Sequence, residues 1–131
     1  MSLSGLNRLS LVCLTVSDVD RSIEFYVEKL GFEKRTDEPF GNGYRWVEVY
    51  MPGDTTGIAL APPPDSQGTA GGANTGITIA TADVDATHGA LRDAGVDVDE
   101  QVARMGGPVP PMFWLRDPDA NVLMVVEQPM D

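Results

Sequence analysis

The chain of 131 residues carries one histidine, His88, and one cysteine, Cys13, among 20 acidic and 9 basic side chains. That inventory closes off several chemistries. A two-histidine, one-carboxylate metal triad needs a second histidine. A lone cysteine excludes an intrachain disulfide and a cysteine-rich zinc site. What remains is Trp46, Glu48 and Tyr50 in one stretch, and Met112, Trp114 and Arg116 in another, each set at alternate positions. Alternate residues of a strand share a face, so each stretch offers two large apolar groups and one charge to the same side. An apolar lining with a few polar groups is the make-up of a small-molecule site. The same residues also suit a filled barrel or a subunit contact. Glu48 and Arg116 could pair with each other structurally, or act as a base and a stabiliser of a developing anion.

Other chemical candidates carry less. His88 has no partner motif and reads as a packing or surface histidine. Cys13 has no accompanying base and reads as a small pocket or core residue. The glycine-rich stretch 69–76 lacks the Lys-Ser/Thr of a phosphate loop. The DPDAN segment, residues 117–121, is too short for a calcium-binding loop and reads as a turn.

The elements that position these residues come twice. Residues 9–16 form an apolar strand, and Ser17 or Asp18 caps a helix whose stripe is Val19, Ile23, Tyr26, Val27 and Leu30. Gly31 stops that helix. Strands near 32–37, 45–51 and 58–61 follow, separated by turns at 40–44 and 52–57. The second unit has a strand at 76–81, and Asp83 caps a helix carrying Val84, Leu91 and Ala94. After Gly95 come strands at 96–103, 112–116 and 122–127. Landmarks recur almost in register: Asp18 and Asp83 lie 65 positions apart, Gly31 and Gly95 64, Pro52 and Pro118 66. A repeat of that period decides the architecture. The reading is one domain over 1–131, with a first module at 9–61, a Pro/Gly/Ser-rich linker at 62–75, and a second module at 76–127. By composition, residues 104–111 suit a lid.

A hydrophobic share of 42% suffices for a core, and the net charge of −11 comes without a basic run. Nucleic acid and anionic membrane are therefore not expected partners, since both are recognised through clustered Lys and Arg. The apolar run 9–16 is too short to span a bilayer and lacks the flanks of a signal peptide. The expectation is a soluble, cytoplasmic protein.

The segment VSDVDRSIEFYVEKLGF, with the spacing D-x-x-x-S-x-x-FY-x-x-x-LGF, and the closing FWLRDPDANVLMVVE together resemble the vicinal-oxygen-chelate superfamily. That group includes glyoxalase I, extradiol dioxygenases, methylmalonyl-CoA epimerase, and fosfomycin- and bleomycin-resistance proteins. The resemblance spans residues 9–127. It implies an α+β fold of two tandem βαβββ modules whose curved sheets form a cup, with helices outside and ligand inside. Combined with strand alternation, it turns Val12, Leu14, Val47, Val49, Ile58, Leu60, Phe113, Leu115, Leu123 and Val125 towards the helices. Cys13, Thr15, Trp46, Glu48, Tyr50, Ala59, Met112, Trp114, Arg116 and Met124 then face the cup.

Metal-dependent members carry ligands seven residues before each helix-capping Asp and on the last strand of each module. Those positions fall here on Leu11, Gly76, Ala59 and Met124. None is a ligand for the hard or borderline divalent ions that these enzymes use. The expectation is therefore no metal and no cofactor. The resemblance implies a homodimeric, metal-independent binding protein that holds an aromatic or amphipathic small molecule against Cys13, Thr15, Trp46, Tyr50, Met112, Trp114 and Met124. The alternative is a metal-free lyase or isomerase using Glu48 and Arg116.

Overall fold

The computed structural model describes residues 4–41, 44–62 and 71–128. Positions 42–43 of the predicted 40–44 turn and 63–70 of the predicted linker lie outside the described residues. The first module is β1 (Leu11–Thr15), α1 (Val19–Ile23), β2 (Glu33–Gly41), β3 (Tyr44–Tyr50) and β4 (Gly57–Ala61). The second is β5 (Asn74–Thr81), α2 (Val84–Asp93), β6 (Asp97–Val98), β7 (Met112–Arg116) and β8 (Val122–Glu127). Each forms a four-stranded mixed sheet of the same order, β1-β4-β3-β2 and β5-β8-β7-β6. The first and last strands of each module pair in parallel, and the remaining pairs are antiparallel. β1 and β5 are consequently edge strands.

The two predicted caps are made alike. The Asp18 carboxylate accepts the Arg21 N–H at 3.1 Å, and Asp83 accepts the Ala86 N–H at 3.0 Å. Each carboxylate satisfies one of the orphan donors of a helix N-terminus. Gly31 and Gly95 end the two helical segments at φ +87° and +86°, a conformation that costs a Cβ-bearing residue energy.

The first helix departs from the predicted single amphipathic stripe. After Ile23 it widens into a π-helical turn over Glu24–Lys29. Phe25 and Tyr26 in this turn, and Ser22 just before it, are buried, whereas Val27 is only partly so. Successive residues of a regular α-helix point about 100° apart, so two adjacent aromatics together span a wide sector of it. The wider turn lets both enter the core, where Phe25 meets Tyr26 and Tyr26 meets Phe32 edge to face, with centroids 5.1 and 5.7 Å apart.

The helix-facing set is borne out in detail. Leu14, Val47, Val49, Ile58, Leu60, Phe113, Leu115, Leu123 and Val125 are buried, and only Val12 stays half-exposed. Residues from both sheets and both helices belong to one continuous core, so the two modules are welded through their helix-bearing faces. Among the described residues no helix is long and apolar enough to cross a membrane.

One predicted strand is mostly absent. The 96–103 strand reduces to Asp97–Val98, plus a bridge between Ala103 and Met112. The cause is Asp99. Its N–H donates to the Trp114 carbonyl at 3.0 Å, but its carboxylate turns back to accept the Trp114 N–H at 3.1 Å. A side chain thus takes the place of the next ladder carbonyl, and the strand ends.

Candidate ligand-binding site

Alternation along β3 puts Trp46, Glu48 and Tyr50 on the face opposite the buried Val47 and Val49. All three are half-buried. The Trp46 indole N–H donates to Glu48 Oε2 at 2.6 Å, and the Tyr50 hydroxyl donates to Oε1 at 2.7 Å. Those two bonds, Tyr50's first, hold the Glu48 carboxyl below its ordinary range against partial burial. Reciprocally, Glu48 holds the Tyr50 hydroxyl above the usual phenol value, so it stays protonated and donates. The result is a fixed anion between two rings.

Register extends this face across the sheet. Glu48 lies opposite Thr36 on β2 and Ala59 on β4, and Ala59 lies opposite Cys13 on β1. Thr36, Glu48, Ala59 and Cys13 therefore form one row, with small side chains flanking the carboxylate. Thr15, two residues beyond Cys13, is half-buried, and Cys13 itself is exposed rather than in the core. Ala59 is fully buried beneath its neighbours.

Tyr50 is more committed than alternation implied. A Cβ added at Gly57 would stand 2.6 Å from the ring's Cε2, so the ring lies flat against that glycine. The Arg35 guanidinium sits 4.4 Å from the ring centroid. Its N–H groups go to the Asp54 and Met51 carbonyls and to Glu33. Tyr50 thus offers its hydroxyl more than an open ring. Arg8, Arg35, Thr36, Glu48, Tyr50 and Thr55 line a cleft of about 300 Å³. Sequence reasoning missed Arg8, Arg35 and Thr36; only the β2–β3 register brings Thr36 beside Glu48.

On the second sheet, Trp114 and Met124 are direct cross-strand partners, both half-buried, with Met112 buried two residues before Trp114. Arg116 does not meet Glu48. Its guanidinium binds Asp99 at 2.6 Å and Asp97 at 3.7 Å. Asp99 in turn accepts, through its backbone carbonyl, from His88 Nε2 at 2.6 Å. The His88 ring is buried and packs edge-on against Phe113. The only histidine therefore sits in the core and supports the loop that fixes Arg116 and the Trp114 backbone.

The family-derived ligand positions present no donor set for a divalent ion. Leu11 and Ala59 are aliphatic, and Gly76 lies in a bulge of β5 at φ +72°. Met124 offers only a thioether, a poor ligand for hard cations. Among the described residues, no three or more His, Cys, Asp or Glu side chains converge as a metal site. The residues do not fit the metal of metal-dependent relatives. A separate cavity of about 770 Å³ runs between edge strand β5 and the start of β1 and β4, lined by Leu9, Val12, Met51, Ile58, Ile77 and Ile79 among others.

Residues 8–125 match the profile of the Glyoxalase/Bleomycin resistance protein/Dioxygenase superfamily. The chain belongs to that superfamily. Within the glyoxalase/bleomycin-resistance group, a solved member from Sphaerobacter thermophilus DSM 20745 superposes with a TM-score of 0.85 and is 32% identical, over 94% of this chain and 98% of that one. TnmS3, described as an antibiotic binding protein from Streptomyces sp. CB03234, gives 0.80 and 30%, over 96% and 98%. The uncharacterized protein YurT of Bacillus subtilis is 27% identical over 92% of this chain and 99% of its own length. The motifs around Asp18–Phe32 and Asp117–Asn121 fall inside the matched span.

Proposed function

We propose that this protein is a metal-independent small-molecule-binding protein that holds an aromatic or amphipathic ligand in the sheet cup, against the sheet faces turned away from the helices. The observation that carries the reading is the β3 face, where Trp46 and Tyr50 converge on one ionised carboxylate. Trp114, Met112 and Met124 supply the matching apolar face on the second sheet. Similarity to an antibiotic binding protein at 30% identity supports binding rather than turnover.

A homodimer is part of the proposal. The ligand faces are half-exposed in a single chain, and both β1 and β5 are unpaired edges beside an apolar cavity. A second copy seated there covers apolar surface that a monomer leaves wet.

Catalysis by Glu48 and Arg116 finds no support in their surroundings. A carboxylate with lowered pKa, both oxygens occupied, is a weak base. Arg116 is committed to Asp97 and Asp99 on the other sheet.

The test is a thermal-shift screen across planar aromatic compounds, with and without divalent metal ions. A ligand at 100 times its dissociation constant adds about 2.7 kcal/mol of stability. We expect stabilisation by a subset of the aromatic compounds and none by metal. Tight metal binding, with function lost on chelation, overturns the reading.

A further inference from the structure

The two tryptophans are fixed by different means. Trp46 is held through its own side chain, whose indole N–H donates to Glu48. Among the described residues the Trp114 indole N–H meets no acceptor. The Trp114 ring is therefore placed by its backbone, and both backbone polar groups go to one residue. Asp99 donates its N–H to the Trp114 carbonyl at 3.0 Å and accepts the Trp114 N–H on its carboxylate at 3.1 Å. The other carboxylate oxygen binds Arg116 at 2.6 Å, two residues along β7 and on the same face.

Asp99 lies outside any helix or strand, so its own place depends on what grips it. The Asp99 carbonyl meets His88 Nε2 at 2.6 Å. A carbonyl only accepts, so Nε2 carries the proton. His88 is buried on α2, and its ring packs edge-on against Phe113 with centroids 4.9 Å apart. Phe113 directly precedes Trp114 and points to the opposite face of β7. From behind the sheet, one histidine thus holds both Asp99 and the residue before Trp114.

We propose that His88 is a positioning residue for the ligand site. Acting through Asp99 from the helix side, it sets the Trp114 ring and the Arg116 guanidinium on the cup side. The inference rests on the reading of the Trp114 face as part of the ligand site, and gives the single histidine a role in binding without ligand contact. Without the His88 bond the Asp99 carbonyl is released, and the Trp114 backbone loses its fixed partner. The ring has no side-chain bond of its own to compensate, so a ligand must then order it on binding.

Two measurements test this. Fluorescence anisotropy without ligand, on the full chain carrying Trp46→Phe, reports Trp114 as the only remaining tryptophan. Calorimetry with naphthamide, on the chain that keeps Trp46, reports affinity. His88→Leu should lower the Trp114 anisotropy and weaken naphthamide binding by about three- to tenfold, the cost of ordering one side chain. His88→Gln, which retains an N–H donor, should bring both back towards the parent values. Asp99→Ala removes the carboxylate bonds, leaves the carbonyl for His88, and should reproduce the effect even where His88→Leu does not fold. His88→Leu added to Asp99→Ala should change Trp114 little further, because the two residues act in series. Parental anisotropy in folded His88→Leu or in Asp99→Ala, or additive effects in the double variant, overturns the proposal. Lowered anisotropy with unchanged affinity overturns the role in binding. Anisotropy is read without ligand, so a parent chain that binds no naphthamide counts against the ligand-face reading, while the anisotropy series still decides whether His88 sets Trp114.

Discussion

The Tyr26 hydroxyl, on the π-helical turn of the first module, donates to Asp117 Oδ2 in the second module at 2.9 Å. Both groups are buried. Asp117 also accepts from the N–H groups of Asp119 and Asn121 and from the Asn121 side-chain amide. The same amide reaches the Thr15 carbonyl at the end of β1. The FY pair and the DPD-x-N turn, 91 residues apart, are therefore two halves of one cross-module clasp. Burial, and then the charge of Asp117, push the Tyr26 hydroxyl far above its ordinary value, so it remains a donor at any working pH.

Removing the Tyr26 hydroxyl leaves a buried carboxylate short of one donor. Tyr26→Phe should lower unfolding free energy by about 1.5–3 kcal/mol, the range for hydrogen bonds to charged groups. Urea denaturation of the variant provides the measure. A midpoint equal to that of the wild type means the clasp holds without its inter-module bond.

Ser22, in the same helix, presents the opposite case. Its hydroxyl is buried and has no hydrogen-bond partner. An unsatisfied buried hydroxyl is a desolvation cost with no return. Ser22→Ala should leave stability unchanged or raise it by up to about 1 kcal/mol. A loss of more than that means the side chain contributes through packing.

Strand positions and the two caps were legible because alternation and capping are local rules. β7 and β8 fall at the predicted bounds, and nine of the ten helix-facing residues are buried. Strand bounds slipped at β2, which runs on to Gly41, and at β5, which begins at Asn74; the two larger departures involve side chains. The helix widens where adjacent Phe25 and Tyr26 both enter the core, and the Asp99 carboxylate takes the Trp114 N–H where the predicted 96–103 strand stops short. The candidate face was legible as a set of alternating residues on each strand. Its wiring was not. Nothing in a one-strand pattern says that Trp46 and Tyr50 both turn to Glu48, or that Arg35 covers the Tyr50 ring from β2.

Gly57 is required by Tyr50. The 2.6 Å approach of an added Cβ to the ring leaves no room for alanine. Gly57→Ala should cost about 1–3 kcal/mol as overpacking and swing the ring away from Glu48. Ligand affinity should then fall together with stability, and near-ultraviolet circular dichroism should report the displaced tyrosine. Unchanged tyrosine signals together with wild-type stability would falsify this role.

Asp37 ties acid stability to the first sheet. Arg45 grips its carboxylate with two bonds, at 3.1 and 2.7 Å, and Lys34 adds a third at 3.0 Å. Arg45 also reaches Asp20 on α1 at 2.7 Å, so one guanidinium joins β2, β3 and the helix. The bonds from Arg45, then Lys34, lower the Asp37 pKa to about 2. In the unfolded chain it returns to about 4. Between those values the unfolded state binds the extra proton, so stability falls as pH falls. The contribution is present in full above the unfolded value and disappears as pH drops through about 2. Asp37→Asn should therefore be less stable than wild type at neutral pH and should show a shallower loss of stability across that acid window. Parallel losses in the two proteins, followed by denaturant unfolding at stepped pH, would place the acid sensitivity in other carboxylates.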